Sequence, residues 1–125
     1  MTNPHPITLV LGASENPNRY SNMAIQRLLA QHIPVIAVGL KPGNVHGIPI
    51  ETTIPFHKQV DTLTLYVGPK HIEVWVPDIL KLSPRRIIFN PGTYHDEVMQ
   101  KFQSHGIFCE EACTLVLLGM GRYLN

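Results

Sequence analysis

At 125 residues, with 44% hydrophobic residues, 15% charged residues and a formal net charge of +1, the chain has the size and make-up of one globular domain around a single core. No apolar run approaches the ~20 residues of a membrane-spanning helix, and no polybasic footprint marks a nucleic-acid binder. Neither a membrane nor nucleic acid is therefore an expected partner.

Residues 1–6, MTNPHP, are polar, contain two prolines and lack the charged and hydrophobic regions of a secretory leader, so they read as a disordered lead-in to a single domain over residues 7–125. The cytoplasm is the expected location. Residues 7–11, ITLVL, are apolar, branched and uncharged, as in a strand covered on both faces of a parallel sheet. Gly12 then permits a tight turn, and Ala13 and Ser14 add little bulk, so a ligand can approach the main chain. Ser21 is the expected N-cap of a helix over about 22–31, with Met23, Ala24, Leu28 and Leu29 on overlapping faces. The N-terminus of such a helix favours an anion, most often a phosphate. Arg19 in the same loop adds a full positive charge.

The second strand lies in 33–39, with Pro34 at its start, where a missing N–H is tolerated. Residues 40–56 hold two glycines and three prolines and read as loop, with a short extended piece at Ile48-Pro49-Ile50 along the sheet edge. A third strand over 60–67 ends in Gly68-Pro69. In 70–82, Pro77 predicts a short turn and then a helix beginning near it. The fourth strand, 86–89, runs into the turn Asn90-Pro91-Gly92-Thr93. Thr93 is the expected cap of a helix carrying Val98, Met99 and Phe102, which His105-Gly106 ends. A fifth, short strand begins at 107–109, and the apolar run 112–118 reads as a short buried helix stopped by Gly119 and Gly121. The alternation predicts an α/β fold: a Rossmann-like open parallel sheet of about five strands with helices on both faces.

In such sheets the ligand crevice lies beyond the carboxyl ends of the strands. Here those ends are Gly12-Ala13-Ser14, Gly39-Leu40-Lys41, Gly68-Pro69 and Asn90-Pro91-Gly92, all small, bent or open. The dinucleotide fingerprint G-x-G-x-x-G is absent, since Gly12 is followed by ASENP. The acid that would hold free ribose hydroxyls is also missing, and Lys41 stands nearest its place. A cation there suits an additional phosphate on the ribose, which leaves NADP or the 3′-phospho-ADP half of coenzyme A.

Gly12-Ala13-Ser14, Asn16-Pro17, Arg19-Tyr20-Ser21, the proline-rich exit of the second strand, Val60-Asp61, Asn90-Pro91-Gly92-Thr93 and a cysteine near the end together resemble the small stand-alone CoA-binding domain family, over nearly the whole chain. The nucleotide-binding part of the succinyl-CoA synthetase alpha subunit is a more distant likeness. The resemblance implies binding of coenzyme A or acyl-CoA, with Gly12, Ala13, Ser14, Asn16, Arg19 and Ser21 at the phosphates and Gly39 and Lys41 at the adenosine end. It places Val67, Gly68, Pro69, Asn90, Pro91 and Gly92 beside the nucleotide and pantetheine. The chain departs from many members in Phe89 and Asn90 before Pro91-Gly92, and in Glu111-Ala112 before Cys113.

Catalytic and metal residues are not expected. The seven histidines are scattered without a metal-binding spacing, and Ser14 lacks the elbow of a serine nucleophile. His95-Asp96-Glu97 reads as helix N-terminal charge rather than as a general base. Cys109 and Cys113 are too few for a disulfide framework, although a thiol at Cys113 near a CoA site would be placed for a mixed disulfide if exposed. Trp75, Val74, Val76, Ile79 and Leu80 read as helix-face packing. The alternative to a binding module is an NADP-dependent or acyl-CoA-handling enzyme component completed by a partner subunit, and a homodimer suits so small a sheet.

Overall fold

The computed structural model describes residues 5–124. The expected lead-in over 1–6 therefore falls, but for His5 and Pro6, outside the described residues. Seven strands form one sheet: β1 Ile7–Leu11, β2 Val35–Val38, β3 Gly43–Val45, β4 Ile48–Glu51, β5 Val60–Leu65, β6 Arg86–Phe89 and β7 Phe108–Glu111. Four α-helices accompany them: α1 Tyr20–Ala30, α2 Val76–Leu82, preceded by a 3-10 turn at Ile72–Trp75, α3 Asp96–Ser104 and α4 Thr114–Gly119.

The spatial order is β3-β4-β2-β1-β5-β6-β7, with every pairing parallel except β3 with β4. Numbering only the parallel strands in chain order, the sheet runs 3-2-1-4-5-6, the doubly wound arrangement whose strand order reverses between β1 and β5. The five expected strands are β1, β2, β5, β6 and β7. The other two arise in 40–56, which reads as loop with an extended piece at 48–50. That piece is β4, lying between β2 and β3 rather than at the edge, and β3 is the strand not foreseen. There His46 and Gly47, with φ of 50° and 86°, form a two-residue turn of the kind that needs positive φ at both positions. Pro49 survives inside β4 because pairing with β2 begins only at Ile50.

Helices cover both faces. On one, Leu9, Leu11, Leu63, Leu65, Ile87 and Phe89 meet the 3-10 turn, α2 and α3 through Ile72, Val76, Ile79, Val98 and Phe102. On the other, Val10, Ala37, Ile50 and Ile88 meet α1 and α4 through Ile25, Leu28 and Leu118. This second face also carries a polar seam. Thr8 pairs with the Tyr123 hydroxyl at 2.6 Å, and buried Arg86 donates to Thr62 Oγ1 at 3.0 Å and to the Tyr123 carbonyl at 2.9 Å. The helix near Pro77 and the stop at His105-Gly106 lie where expected. Trp75, Val76, Ile79 and Leu80 pack on the core, whereas Val74 is exposed.

Candidate functional site

Gly12 leaves β1 with φ of 97°, and a Cβ there would lie 2.7 Å from the Tyr66 carbonyl oxygen. Only glycine fits, because the turn after β1 presses on the residue after β5 at the point where strand order reverses. The N–H groups of Gly12 and Ala13 both donate to the Val38 carbonyl, at 2.8 and 3.0 Å. They tie the turn to β2 and do not face a ligand, contrary to the simplest reading of a phosphate loop.

The following loop is held by its own side chains. Ser14 Oγ accepts the Asn16 N–H at 3.1 Å, Asn16 Oδ1 accepts the Asn18 N–H at 3.0 Å, and Asn22 Nδ2 donates to the Ser14 carbonyl at 2.9 Å. Helix α1 then starts earlier than the sequence predicts. Arg19, with extended φ and ψ, is the N-cap residue, and no side chain caps the helix. Its carbonyl already accepts from Asn22 and Met23, which draws Ser21 into the first turn, where it is buried rather than capping. An N-terminus without a side-chain acceptor, beside an exposed Arg19, is the feature an anionic group would satisfy. The Ser14 hydroxyl hydrogen points to the same use.

At the exit of β2, Gly39 packs on the first loop and Leu40 is 86% exposed beside exposed Lys41. The hairpin β3–β4 closes over this region through contacts the sequence does not announce. Glu15 Oε2 accepts the Asn44 N–H at 2.9 Å, and His46 Nε2 donates to Asn22 Oδ1 at 2.8 Å. No local pattern marks these pairs, since the residues are 29 and 24 positions apart.

Beyond β5, Val67 packs partly into the core, while Gly68 and Pro69 are open and Gly68 accepts the His71 N–H. Beyond β6, Asn90 is 2% exposed. Its Nδ2 donates to Thr64 Oγ1 at 2.7 Å and to the Leu65 carbonyl at 2.9 Å, and its Oδ1 accepts the Thr114 N–H at 2.9 Å. This side chain, expected at the ligand, is a structural tie that fixes the start of α4. Thr93 is likewise buried, donating to the Asn90 carbonyl at 2.7 Å, and His95 takes the capping position at α3, its Nδ1 accepting the Val98 N–H at 3.3 Å. Thr93 lies too deep in the turn to cap the helix. Pro91 and Gly92 remain exposed.

A half-open cavity of about 230 Å³ lies at the exits of β6 and β7, lined among others by Asn90, Pro91, Gly92, Tyr94, Glu111 and Cys113, so Asn90 both ties the fold and borders this space. The Glu111 carboxylate, as acceptor beside the Tyr94 hydroxyl, raises the pKa of that phenol above its ordinary value. Cys113 is partly exposed here, whereas burial pushes the Cys109 thiol up to about 11, which makes Cys109 a poor nucleophile. The Tyr66 hydroxyl is buried without a hydrogen bond of good geometry, beside the Thr64 and Thr114 hydroxyls, which bond each other at 2.7 Å. Burial pushes its pKa up to about 12. No group of three or more metal-ligating side chains occurs among the described residues, and no helix among them is long and apolar enough to cross a membrane.

Residues 7–119 match the CoA binding domain family. A search of curated proteins finds no match. Among solved structures, the crystal structure of an uncharacterized protein is 40% identical, with a TM-score of 0.91 over 96% of this chain and 99% of that one. A hypothetical protein from Pyrococcus horikoshii OT3 is 24% identical, with a TM-score of 0.83 over 98% of this chain and 86% of that one. The dinucleotide-forming acetyl-coenzyme A synthetase 1 of Ca. Korarchaeum cryptofilum shares the fold at 16% identity and a TM-score of 0.72, over 86% of this chain and 26% of the synthetase. With a match spanning nearly its whole length, and a glycine-tight turn where the strand order reverses, the chain belongs to the CoA binding domain family.

Proposed function

We propose that the protein is a coenzyme A or acyl-CoA binding module without catalytic residues of its own, its ligand lying along the carboxyl ends of the strands. The observation that carries this is the uncapped N-terminus of α1 with exposed Arg19, set directly after the tight Gly12 turn at the β1–β5 boundary. The pyrophosphate sits against the first-turn N–H groups of α1, Arg19 supplies charge, and the Ser14 hydroxyl donates. Gly12, Ala13 and Gly39 shape the cradle rather than donate, and Asn16 and Ser21 hold the loop and the helix start from within. Exposed Leu40 offers an apolar surface to the base and Lys41 a charge to the 3′-phosphate. Gly68, Pro69, Pro91 and Gly92 leave the way open toward the exits of β6 and β7.

Isothermal calorimetry with CoA, dephospho-CoA and NADP tests the reading. Arg19→Ala weakens CoA binding about tenfold or more, since charge-assisted hydrogen bonds contribute about 1.5–3 kcal/mol. Lys41→Ala weakens CoA but not dephospho-CoA. Binding of NADP in preference to CoA would replace this reading by that of an NADP-dependent enzyme component, and unaltered CoA affinity in Arg19→Ala would remove that residue from the site.

A further inference from the structure

The cavity at the exits of β6 and β7 stands apart from the phosphate loop, and its size, distance and lining say what it takes. It lies between two and three strand spacings from the exit of β1, which at about 4.8 Å per strand is roughly 12 Å. From diphosphate to sulfur the pantetheine arm is a chain of about a dozen bonds. Extended polypeptide advances about 3.5 Å per three bonds, so such an arm reaches roughly 14 Å. An arm that starts from a diphosphate near the exit of β1 is therefore long enough to reach this cavity.

At about 230 Å³, the cavity falls below the ~300–1,000 Å³ of sites that enclose drug-sized ligands. It exceeds the roughly 150 Å³ engineered apolar cavity that holds benzene. It has room for an acyl group of a few carbons and not for a nucleotide, and a longer chain has to leave through its open side. The lining mixes apolar and polar groups, Pro91, Gly92, Ala112 and Cys113 beside Asn90 and Tyr94, and the one acidic side chain in it is Glu111. Glu111 is exposed at the end of β7 and has no salt bridge among the described residues. A second carboxylate entering this half-enclosed space meets a like charge at short range with no cation to offset it.

We infer that this cavity receives the sulfur end of the ligand, admits a short uncharged acyl group and disfavours carboxylated ones, with Glu111 as the specificity-determining residue. The inference rests on the CoA-binding reading given above.

Calorimetry with CoA and with acetyl-, butyryl-, octanoyl- and succinyl-CoA tests it, on the wild-type protein, Glu111→Gln and the control Glu110→Gln. The wild type binds CoA, acetyl-CoA and butyryl-CoA with similar affinity, and octanoyl- and succinyl-CoA about tenfold or more weakly. Glu111→Gln restores succinyl-CoA to within about threefold of acetyl-CoA and leaves octanoyl-CoA weak, whereas Glu110→Gln leaves the succinyl gap in place. Equal affinity for acetyl- and succinyl-CoA in the wild type, or a gap that persists in Glu111→Gln, overturns this inference while CoA binding stands. No binding of CoA by the wild type overturns both readings.

Discussion

A Cβ placed on Gly39 would lie 2.5 Å from the carbonyl oxygen of Ala13. The exit of β2 and the loop after β1 are therefore one packed unit, and the Val38 carbonyl reinforces it by accepting from both Gly12 and Ala13. Because the obstacle is backbone, Gly39→Ala must displace the loop, at a cost of about 1–3 kcal/mol. The expected result is a lower melting temperature together with weaker CoA binding. A variant with unchanged stability and affinity would show that the loop yields freely.

Asn90 joins β5, β6 and α4 through three hydrogen bonds in a fully buried position. Asn90→Ala leaves the Leu65 carbonyl and the Thr114 N–H without these partners, and each orphaned buried group costs about 1–3 kcal/mol. Denaturant unfolding should show a loss in that range or above it, and hydrogen exchange at the start of α4 should accelerate. Exchange rates equal to wild type there would refute the tie.

Arg86 is 5% exposed, donates to Thr62 and to the Tyr123 carbonyl, and stacks over the Tyr123 ring at 4.6 Å. It pins the segment after α4 across the sheet. Arg86→Ala removes both donors and the packing of the long side chain, with an expected loss of about 2–4 kcal/mol. Limited proteolysis should then cut near Tyr123 faster than in the wild type, and an unaltered digestion pattern would argue against the clamp.

The hydrogen bonds from Arg85 to Asp61, at 2.8 and 3.0 Å, hold the Asp61 carboxyl below its ordinary range. A depressed carboxylate pKa contributes stability that is fully present above the unfolded value, about 3.9, and is lost as pH falls through the folded value. The pair is open to solvent on the arginine side, so its contribution is about 1 kcal/mol or less. Melting curves between pH 6 and pH 2 should show a shallower acid decline for Asp61→Asn than for wild type. Parallel declines would show that the pair adds nothing to the acid response.

Most of the architecture is legible in the chain because parallel strands are continuous apolar runs and glycine or proline marks their ends. β1 and β6 coincide with the runs 7–11 and 86–89, and Pro77 correctly signals the entry to α2. Of the hairpin β3–β4 the sequence showed only the extended piece at 48–50, because β3 is three residues long, Pro49 interrupts β4, and the turn uses His46 at positive φ, where a sequence more often shows Asn or Asp before Gly. The two expected helix caps, Ser21 and Thr93, were displaced in opposite ways: α1 starts earlier than expected, at Tyr20, and takes Ser21 into its first turn, whereas the turn before α3 buries Thr93 against the Asn90 carbonyl before that helix starts.

Of the candidate site, the sequence alone determined the strand exits and where Gly12, Arg19 and Lys41 stand in the chain, because turn chemistry and charge are properties of residues taken one at a time; that position 12 must be glycine follows only from the Tyr66 carbonyl packed against it. Tertiary structure decided what each residue does there. It turned the Gly12 and Ala13 amides toward Val38, buried Asn90 as a tie, and brought Glu15 against Asn44 and His46 against Asn22. It also brought Tyr94 and Glu111 to one cavity. These are pairings between residues distant in the chain, and only the packing of the sheet and its helices selects which donor meets which acceptor.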